Sequence, residues 1–415
     1  MNDPQYSSEL IKCVRCGACK ALCPTYLTAL DETMGSRGRI AMLGAMTAGS
    51  LLPSGRLSDK IFSCILCGAC RDLCPTGIDI LETIYHGRVK LKNFYRRGRL
   101  FSKAVRFSIP RMNSVFSVLR GMQKIFYQPL YKTGKLPYIP EITSVPFKDS
   151  AQVYPVRNFR WQNFLSNGVY KNTKKIGRVA IFAGCAVNYF YPHLGGSLLN
   201  ILLARGYEVV VLKGEVCCGS PMRAMGLEEE AIALARKNVE LFNRVRAEAI
   251  LCMCPTCTMV IKREYPLLIN DSIEKIMDVN EFFIRNDFFG AVKALGTTRR
   301  IITYHDPCHL NFGLGIKNEP RSILKNIGGI EFIEMQDAGE CCGFGGFFSI
   351  NFKDLSKKIG NKKIRNVSDT HADTLVTSCP GCMIQFENIK RQNSFNIDVM
   401  HMVEIVDEAM HGELI

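Results

Sequence analysis

Short apolar runs alternate with amphipathic stretches from residue 178 to the C-terminus, and that alternation sets the first expectation about the fold. Residues 178–183, 208–212 and 249–251 read as strands, and 301–304 and 374–377 follow suit. Helices are expected over about 195–204 and from Glu228 to about Arg246. Strands separated by helices predict parallel sheets covered on both faces, with functional residues at the strand ends. The first part of the chain reads differently. An alanine-rich helical run ends near Ala48, and residues 100–107 and 115–120 interleave apolar with basic positions. Those two stretches predict amphipathic helices, interrupted at Pro110 and again near Pro129 and Pro137. The longest nearly apolar stretch, 249–261, contains Pro255 and is too short to span a bilayer, so no transmembrane helix is expected.

Charge adds a second feature. The chain has 415 residues, 47% hydrophobic and 22% charged, enough for more than one core, and a net charge of +15. Thirteen lysines and arginines lie between Glu82 and Glu141 with no acidic residue among them. An anionic membrane surface or an acidic protein suits such a stretch, and a helix covering the N-terminal domain with its charges simply in water is the plainer reading. Each basic group near an anionic leaflet contributes about 1 kcal/mol, so a third of them engaged suffices for reversible surface binding. Nucleic acid ranks last, because no helix–turn–helix, zinc-finger or RNA-binding signature accompanies the charge. The start of the chain lacks the basic and apolar segments of a secretory signal. A reducing, cytoplasmic setting is therefore expected, in which clustered cysteines serve as metal ligands rather than disulfides.

Eighteen of the 19 cysteines fall into four blocks, and Cys252 alone stands apart as a small buried hydrophobe on a strand. The first two blocks are Cys13-x2-Cys16-x2-Cys19-x3-Cys23-Pro24 and Cys64-x2-Cys67-x2-Cys70-x3-Cys74-Pro75. Three closely spaced thiolates wrap three corners of a [4Fe–4S] cube, and the cysteine before proline reaches the other cluster of a two-cluster unit. The expected sets are thus Cys13, Cys16, Cys19 and Cys74 for one cluster, and Cys64, Cys67, Cys70 and Cys23 for the other. Zinc prefers two well-separated Cys-x2-Cys pairs and fits this spacing poorly. The 40-residue insert between the blocks carries Arg37-Gly38-Arg39-Ile40. The arrangement resembles the helical ferredoxin domain of respiratory iron–sulfur subunits. Arg37 and Arg39 are candidates to offset cluster charge, with a solvated basic turn as the plainer reading.

The last two blocks are copies of each other. Cys185, Cys217-Cys218 and Cys254-x2-Cys257 recur as Cys308, Cys341-Cys342 and Cys379-x2-Cys382, at offsets of 123, 124 and 125 residues. Each copy offers five thiolates, one more than a cubane or a zinc ion requires. The pattern resembles the cysteine-rich (CCG) domains of heterodisulfide reductase catalytic subunits. That resemblance implies a noncubane [4Fe–4S] cluster or zinc in one or both copies. If the chain itself is catalytic, the second copy supplies the candidates: Cys308, Cys341, Cys342, Cys379 and Cys382. His305 and His309 flank the first ligand of that copy and are read either as cluster-tuning groups or as caps of backbone at a strand end.

The complete order of parts resembles the iron–sulfur subunit of glycolate oxidase and related lactate dehydrogenases over nearly the whole chain. The expected division is a two-cluster ferredoxin-like domain at 1–95, a basic amphipathic connector at 96–175, and cysteine-rich domains at 176–275 and 276–415. The expected fold class is α/β, with a helical ferredoxin domain ahead of a tandem pair of α/β cysteine-rich domains. The resemblance implies an oxidoreductase subunit that takes electrons from a partner FAD subunit oxidising a 2-hydroxy acid and passes them to quinone or another carrier. It also implies peripheral contact with the inner face of the membrane through the connector. No Gly-x-Gly-x-x-Gly fingerprint or P-loop is present in the sequence, in keeping with a flavin held on another chain. The alternative is a catalytic subunit reducing a disulfide at a noncubane cluster, and zinc-stabilised scaffold domains form a third reading.

Overall fold

The computed structural model describes residues 4–123, 138–143, 147–150, 164–165, 169–170, 176–288, 300–393 and 395–411. The N-terminal part is helical, built on Pro4–Ile11, Ser36–Thr47, Gly55–Phe62 and Ile80–Leu91. Two of these helices start on side-chain caps. Ser54 accepts from Leu57 N at 3.2 Å, and Asp79 accepts from Glu82 N at 3.0 Å. The first two cysteine blocks form loops between helices, and they turn alike. Arg15 and Leu66 are left-handed at φ 58° and 63°, and Gly17 and Gly68 follow at 88° and 85°. A non-glycine residue in that region is uncommon, and its recurrence at matching positions gives both loops the same tight wrap.

The basic stretch forms helices Arg99–Ser108 and Met112–Met122, joined by a turn at Ile109–Arg111 where Pro110 interrupts them. The expected breaks near Pro129 and Pro137 lie outside the described residues. Arg106 pairs with Glu230 at 2.6 Å, tying the first helix to the body of the protein. Leu100, Phe107 and Val118 are 83%, 59% and 65% exposed, so apolar side chains share this surface with the basic ones.

Two sheets carry the rest. The first runs in the order β1 (Phe164–Leu165), β2 (Val169–Tyr170), β4 (Tyr207–Val211), β3 (Gly177–Phe182), β5 (Ala249–Cys252), β6 (Ile276–Asp278). The second runs β10 (Asp398–His401), β9 (Thr374–Thr377), β7 (Arg300–His305), β8 (Ile330–Phe332). The β4-β3-β5-β6 order of the first sheet recurs as β8-β7-β9-β10 in the second, all parallel, as a repeated domain requires. The fold is α/β as the pattern of strands and helices predicts. Strand β6 lies just past residue 275, the expected end of the first cysteine-rich segment, because Ile276 and Met277 pair with β5. Strands β1 and β2 lie within the expected connector and add an antiparallel edge to the first sheet.

The cores do not respect sequence boundaries. Leu43, Ile61 and Ile84 of the N-terminal helices share one apolar cluster with Met222, Phe242 and Ile261 of the first repeat. A second cluster joins Leu198 and Leu251 of the first repeat to Tyr304, Val376 and Val403 of the second. A buried ion network crosses the first of these junctions. Arg223, 2% exposed, donates to both carboxylate oxygens of Glu82 at 2.8 and 2.9 Å and to Glu264 Oε2 at 3.2 Å. Its guanidinium stacks over Tyr85 at 4.0 Å, whose hydroxyl donates to Glu264 Oε1 at 3.1 Å.

Asp278 ends β6 and caps helix Val279–Arg285, accepting from Asn280 N at 2.9 Å and Asn280 Nδ2 at 2.7 Å. Its other oxygen is buried without a partner, and burial pushes the carboxyl up to about 7 despite the Asn280 hydrogen bonds. The folded state therefore holds a proton that the unfolded chain releases from about pH 4 upward. Stability from this group falls as pH rises through that window and levels off above about 7. Asp278→Asn keeps the cap and removes the titration. Its melting temperature relative to the parent is expected to rise steadily between pH 5 and 7.5, by about 1.4 kcal/mol of stability per pH unit at most. A gap independent of pH would show that Asp278 is already ionised at pH 5.

Candidate functional site

Cys13, Cys16, Cys19 and Cys74 line one surface recess together with Arg37. Cys16 is exposed at its mouth, and Ile11 and Val14 beside it are 83% and 65% exposed. Arg37 is held over this recess by Glu32 at 2.7 Å and donates to Arg15 O at 3.2 Å. Arg39 goes elsewhere. It is buried, bonded to Lys60 O at 2.9 Å, Thr25 Oγ1 at 3.1 Å and Ser63 Oγ at 3.0 Å, and lies beside Cys23. Burial alone would raise the Cys23 thiol, but the Arg39 charge and hydrogen bonds around Thr25 hold it below its ordinary value.

The second expected set lies deeper. Cys70 neighbours Cys64, Cys23 and Cys19, so the structure brings these groups into one region with the first recess. Arg88 donates to the carbonyls of Phe62, Cys64 and Ala224 and places a buried cation beside Cys64. Cys67 lies near Cys70 of its own block and also near Cys308 and Cys341 of the second repeat. The loop that carries it packs on that repeat through Ile65 and Ala69 against Phe348 and Ile359.

The ten cysteines of the repeats form a single file. In the first repeat Cys185 contacts Cys217, which contacts Cys218, then Cys257, then Cys254. In the second, Cys308 contacts Cys341, then Cys342, Cys382 and Cys379, with Cys342 Sγ and Cys382 Sγ 3.4 Å apart. The two series meet thiol to thiol at Cys254 and Cys379. Cys218 and Cys342 hold the same place in each file, between two neighbouring thiols that hold them below the ordinary thiol value. Such thiols ionise readily and suit metal ligation.

Cross-braces lock the junction. His401 at the end of β10 bonds Met253 O at 2.9 Å, next to Cys254. In mirror fashion, Asn280 after β6 takes a hydrogen bond from Ser378 Oγ at 3.2 Å, next to Cys379. His309 bonds Leu66 O at 3.0 Å and Thr256 Oγ1 at 2.8 Å, pinning the Cys67 loop and both repeats together. Of the two histidines singled out in the sequence, His309 is thus a clamp on backbone, whereas His305 points into the second file beside Cys342 and Cys382.

The last four thiols of each repeat are buried, and Cys185 and Cys308 are half-buried alike, with the Cys67 loop packed at the Cys308 end. Beside Cys185 and Cys217, by contrast, lies a cavity of about 400 Å³, also lined by Arg111, Lys148, Asn188 and Glu215. Glu215 accepts from Ala183 N and Gly184 N at 3.0 Å each and from Asn188 Nδ2. Neither Glu215 nor Lys148 stands out in the sequence, since single charges near a cysteine carry no pattern. The same holds for Arg88 and Arg223, which look like surface helix residues until the partner elements cover them. Cys252 is buried at the end of β5, as its strand position predicts.

Known proteins share these parts. Residues 9–78 match the 4Fe-4S dicluster domain, and residues 179–262 and 302–387 each match the cysteine-rich domain. The chain is 29% identical to a probable glycolate oxidase iron-sulfur subunit of Bacillus subtilis, over 97% of this chain and 94% of that one. It is 28% identical to one of the subunits of the dihydromethanophenazine:CoB–CoM heterodisulfide reductase of Methanosarcina barkeri, over 97% and 94% of the two chains. A hypothetical protein from Helicobacter pylori superimposes with a TM-score of 0.54 at 12% identity, covering 92% of this chain and 68% of that one, a likeness of fold.

Proposed function

We propose that this member of the iron–sulfur subunits built from a dicluster domain and two cysteine-rich domains is an electron conduit, running from an exposed N-terminal cluster to a cavity at the first repeat. The observation that carries this reading is the unbroken succession of cysteine sets. Cys13, Cys16, Cys19 and Cys74 would hold one [4Fe–4S] cluster and Cys64, Cys67, Cys70 and Cys23 a second. The five-thiol sets of the repeats would hold two further metal centres, with Cys67 and the Cys254–Cys379 contact as the joints between successive sites. Arg37, Arg39 and Arg88 supply positive charge along the first part of the path, which favours the reduced form of a cluster.

The full-length likeness to a glycolate oxidase subunit supports a partner FAD subunit as the electron source, oxidising a 2-hydroxy acid such as glycolate or lactate. Its docking surface would be the exposed apolar rim around Cys16. No helix among the described residues is long and apolar enough to cross a membrane, so contact with a quinone-bearing membrane would run through helices Arg99–Ser108 and Met112–Met122. The cavity beside Cys185 and Cys217 favours a second reading, chemistry on a small thiol or disulfide at the first repeat.

Iron and acid-labile sulfide on anaerobically purified protein, with EPR during reductive titration, test the conduit. Twelve to sixteen irons per chain is the approximate expectation for three or four clusters. Signals that fill when glycolate or lactate is added with the flavin subunit would support the 2-hydroxy-acid reading. About eight irons, all lost on mutating the N-terminal cysteines, would leave the repeats as scaffolds and overturn it.

A further inference from the structure

His305 is completely buried, and neither ring nitrogen has a hydrogen-bond partner. The neighbouring Ala338 carbonyl lies outside hydrogen-bond geometry and already accepts from Asp306 N at 3.2 Å and Lys363 Nζ at 2.8 Å. Leaving two polar nitrogens unpaired in the interior is costly unless something else binds them. The ring is fixed edge-on against Phe386, centroids 4.9 Å apart, and its nitrogen lies within 4.8 Å of both Cys342 Sγ and Cys382 Sγ. Donor atoms around one metal ion at bond lengths of about 2.0–2.3 Å sit roughly 4 Å apart, which these three nearly satisfy as they stand.

The first repeat differs at this point. His305 is the last residue of β7, and the last residue of β3, its counterpart, is Phe182. The Phe182 ring packs on Phe242 at 5.5 Å and offers no donor. All five thiols are shared between the repeats, so the imidazole is what makes the two sets chemically unequal.

We propose that His305 is a ligand of the metal centre in the second repeat, which binds through imidazole and the thiolates of Cys342 and Cys382, while the first repeat binds through thiolates alone. The metal is of the borderline-soft class, cluster iron or zinc, that takes both nitrogen and sulfur. The proposal rests on the reading that the second repeat binds metal.

The experiment uses the full-length, anaerobically purified protein. Metal analysis of Cys342→Ser against the parent first identifies what the second repeat holds. If zinc is lost, X-ray absorption at the zinc edge of the parent should show nitrogen at about 2.0 Å beside sulfur at about 2.3 Å. If iron is lost, pulsed EPR of the parent should show an imidazole-nitrogen coupling that vanishes in His305→Phe, the residue of the first repeat. No metal lost in Cys342→Ser would overturn both the proposal and the reading beneath it. Metal lost without any nitrogen signature in the parent would overturn His305 ligation alone. Because the parent spectrum decides, the outcome does not depend on how well His305→Phe folds.

Discussion

Replacing Arg223 by methionine is expected to destabilise the protein by roughly 3–5 kcal/mol, the usual cost of removing one partner from a buried ion pair. Arg223 is the only cation that the described structure places on Glu264, and Glu264 is buried between the N-terminal helices and the first repeat. Burial already raises the Glu264 carboxyl above its ordinary value, with Arg223 pulling the other way. Without the guanidinium the carboxylate must take up a proton or drag in water. The single variant Arg223→Met should therefore melt early, and the loss should begin at the junction that Glu82, Tyr85 and Glu264 share. Adding Glu264→Gln to Arg223→Met should recover a large part of the loss, because the orphan charge goes with it. The measurement is a thermal or denaturant double-mutant cycle on metal-loaded protein. Strictly additive effects of the two substitutions would mean that the pair is not coupled.

Arg88→Met is expected to be nearly as damaging and to carry a redox signature as well. It strips donors from the carbonyls of Phe62 and Ala224, bonded at 3.1 and 2.6 Å, and from that of Cys64. Each buried carbonyl left unsatisfied costs about 1–3 kcal/mol, so a loss of roughly 3 kcal/mol or more is expected. The same change deletes a buried positive charge next to Cys64, and the neighbouring centre should become harder to reduce. Arg88→Lys separates the two effects. A lysine keeps the charge without the planar fork, so it should restore the potential more fully than the stability. EPR-monitored redox titration reads the potential and a melt reads the stability. An unchanged potential in Arg88→Met, alongside lost stability, would reduce Arg88 to a structural brace.

Much of this molecule is legible in one dimension because its chemistry is local. Two Cys-x2-Cys-x2-Cys-x3-Cys-Pro blocks specify their loops through spacing alone, and the structure gives both the same left-handed turns at Arg15 and Leu66. The strand–helix alternation after residue 178 is likewise local, and β3, β4, β5, β7 and β9 fall within a residue of where the apolar runs put them. Strands β6 and β8, three residues each, escape such a reading because so short a run carries no periodicity of its own.

What the spacing leaves open is how the four cysteine sets stand to one another, because that depends on contacts between residues far apart in the chain. Nothing near Cys67 in sequence points to Cys308, and nothing near Cys254 points to Cys379. These meetings follow from cores shared across the N-terminal helices and both sheets, driven by burial of apolar surface that no single segment can cover alone. The same packing separates two histidines four residues apart, aiming His309 at Leu66 and Thr256 and His305 at Cys342 and Cys382. The sequence by itself determined the cysteine blocks, their spacing and the repeated fold. Tertiary structure decided their order along a path and the cavity beside Cys185 and Cys217, because burial is a property of the assembled surfaces and not of any one segment.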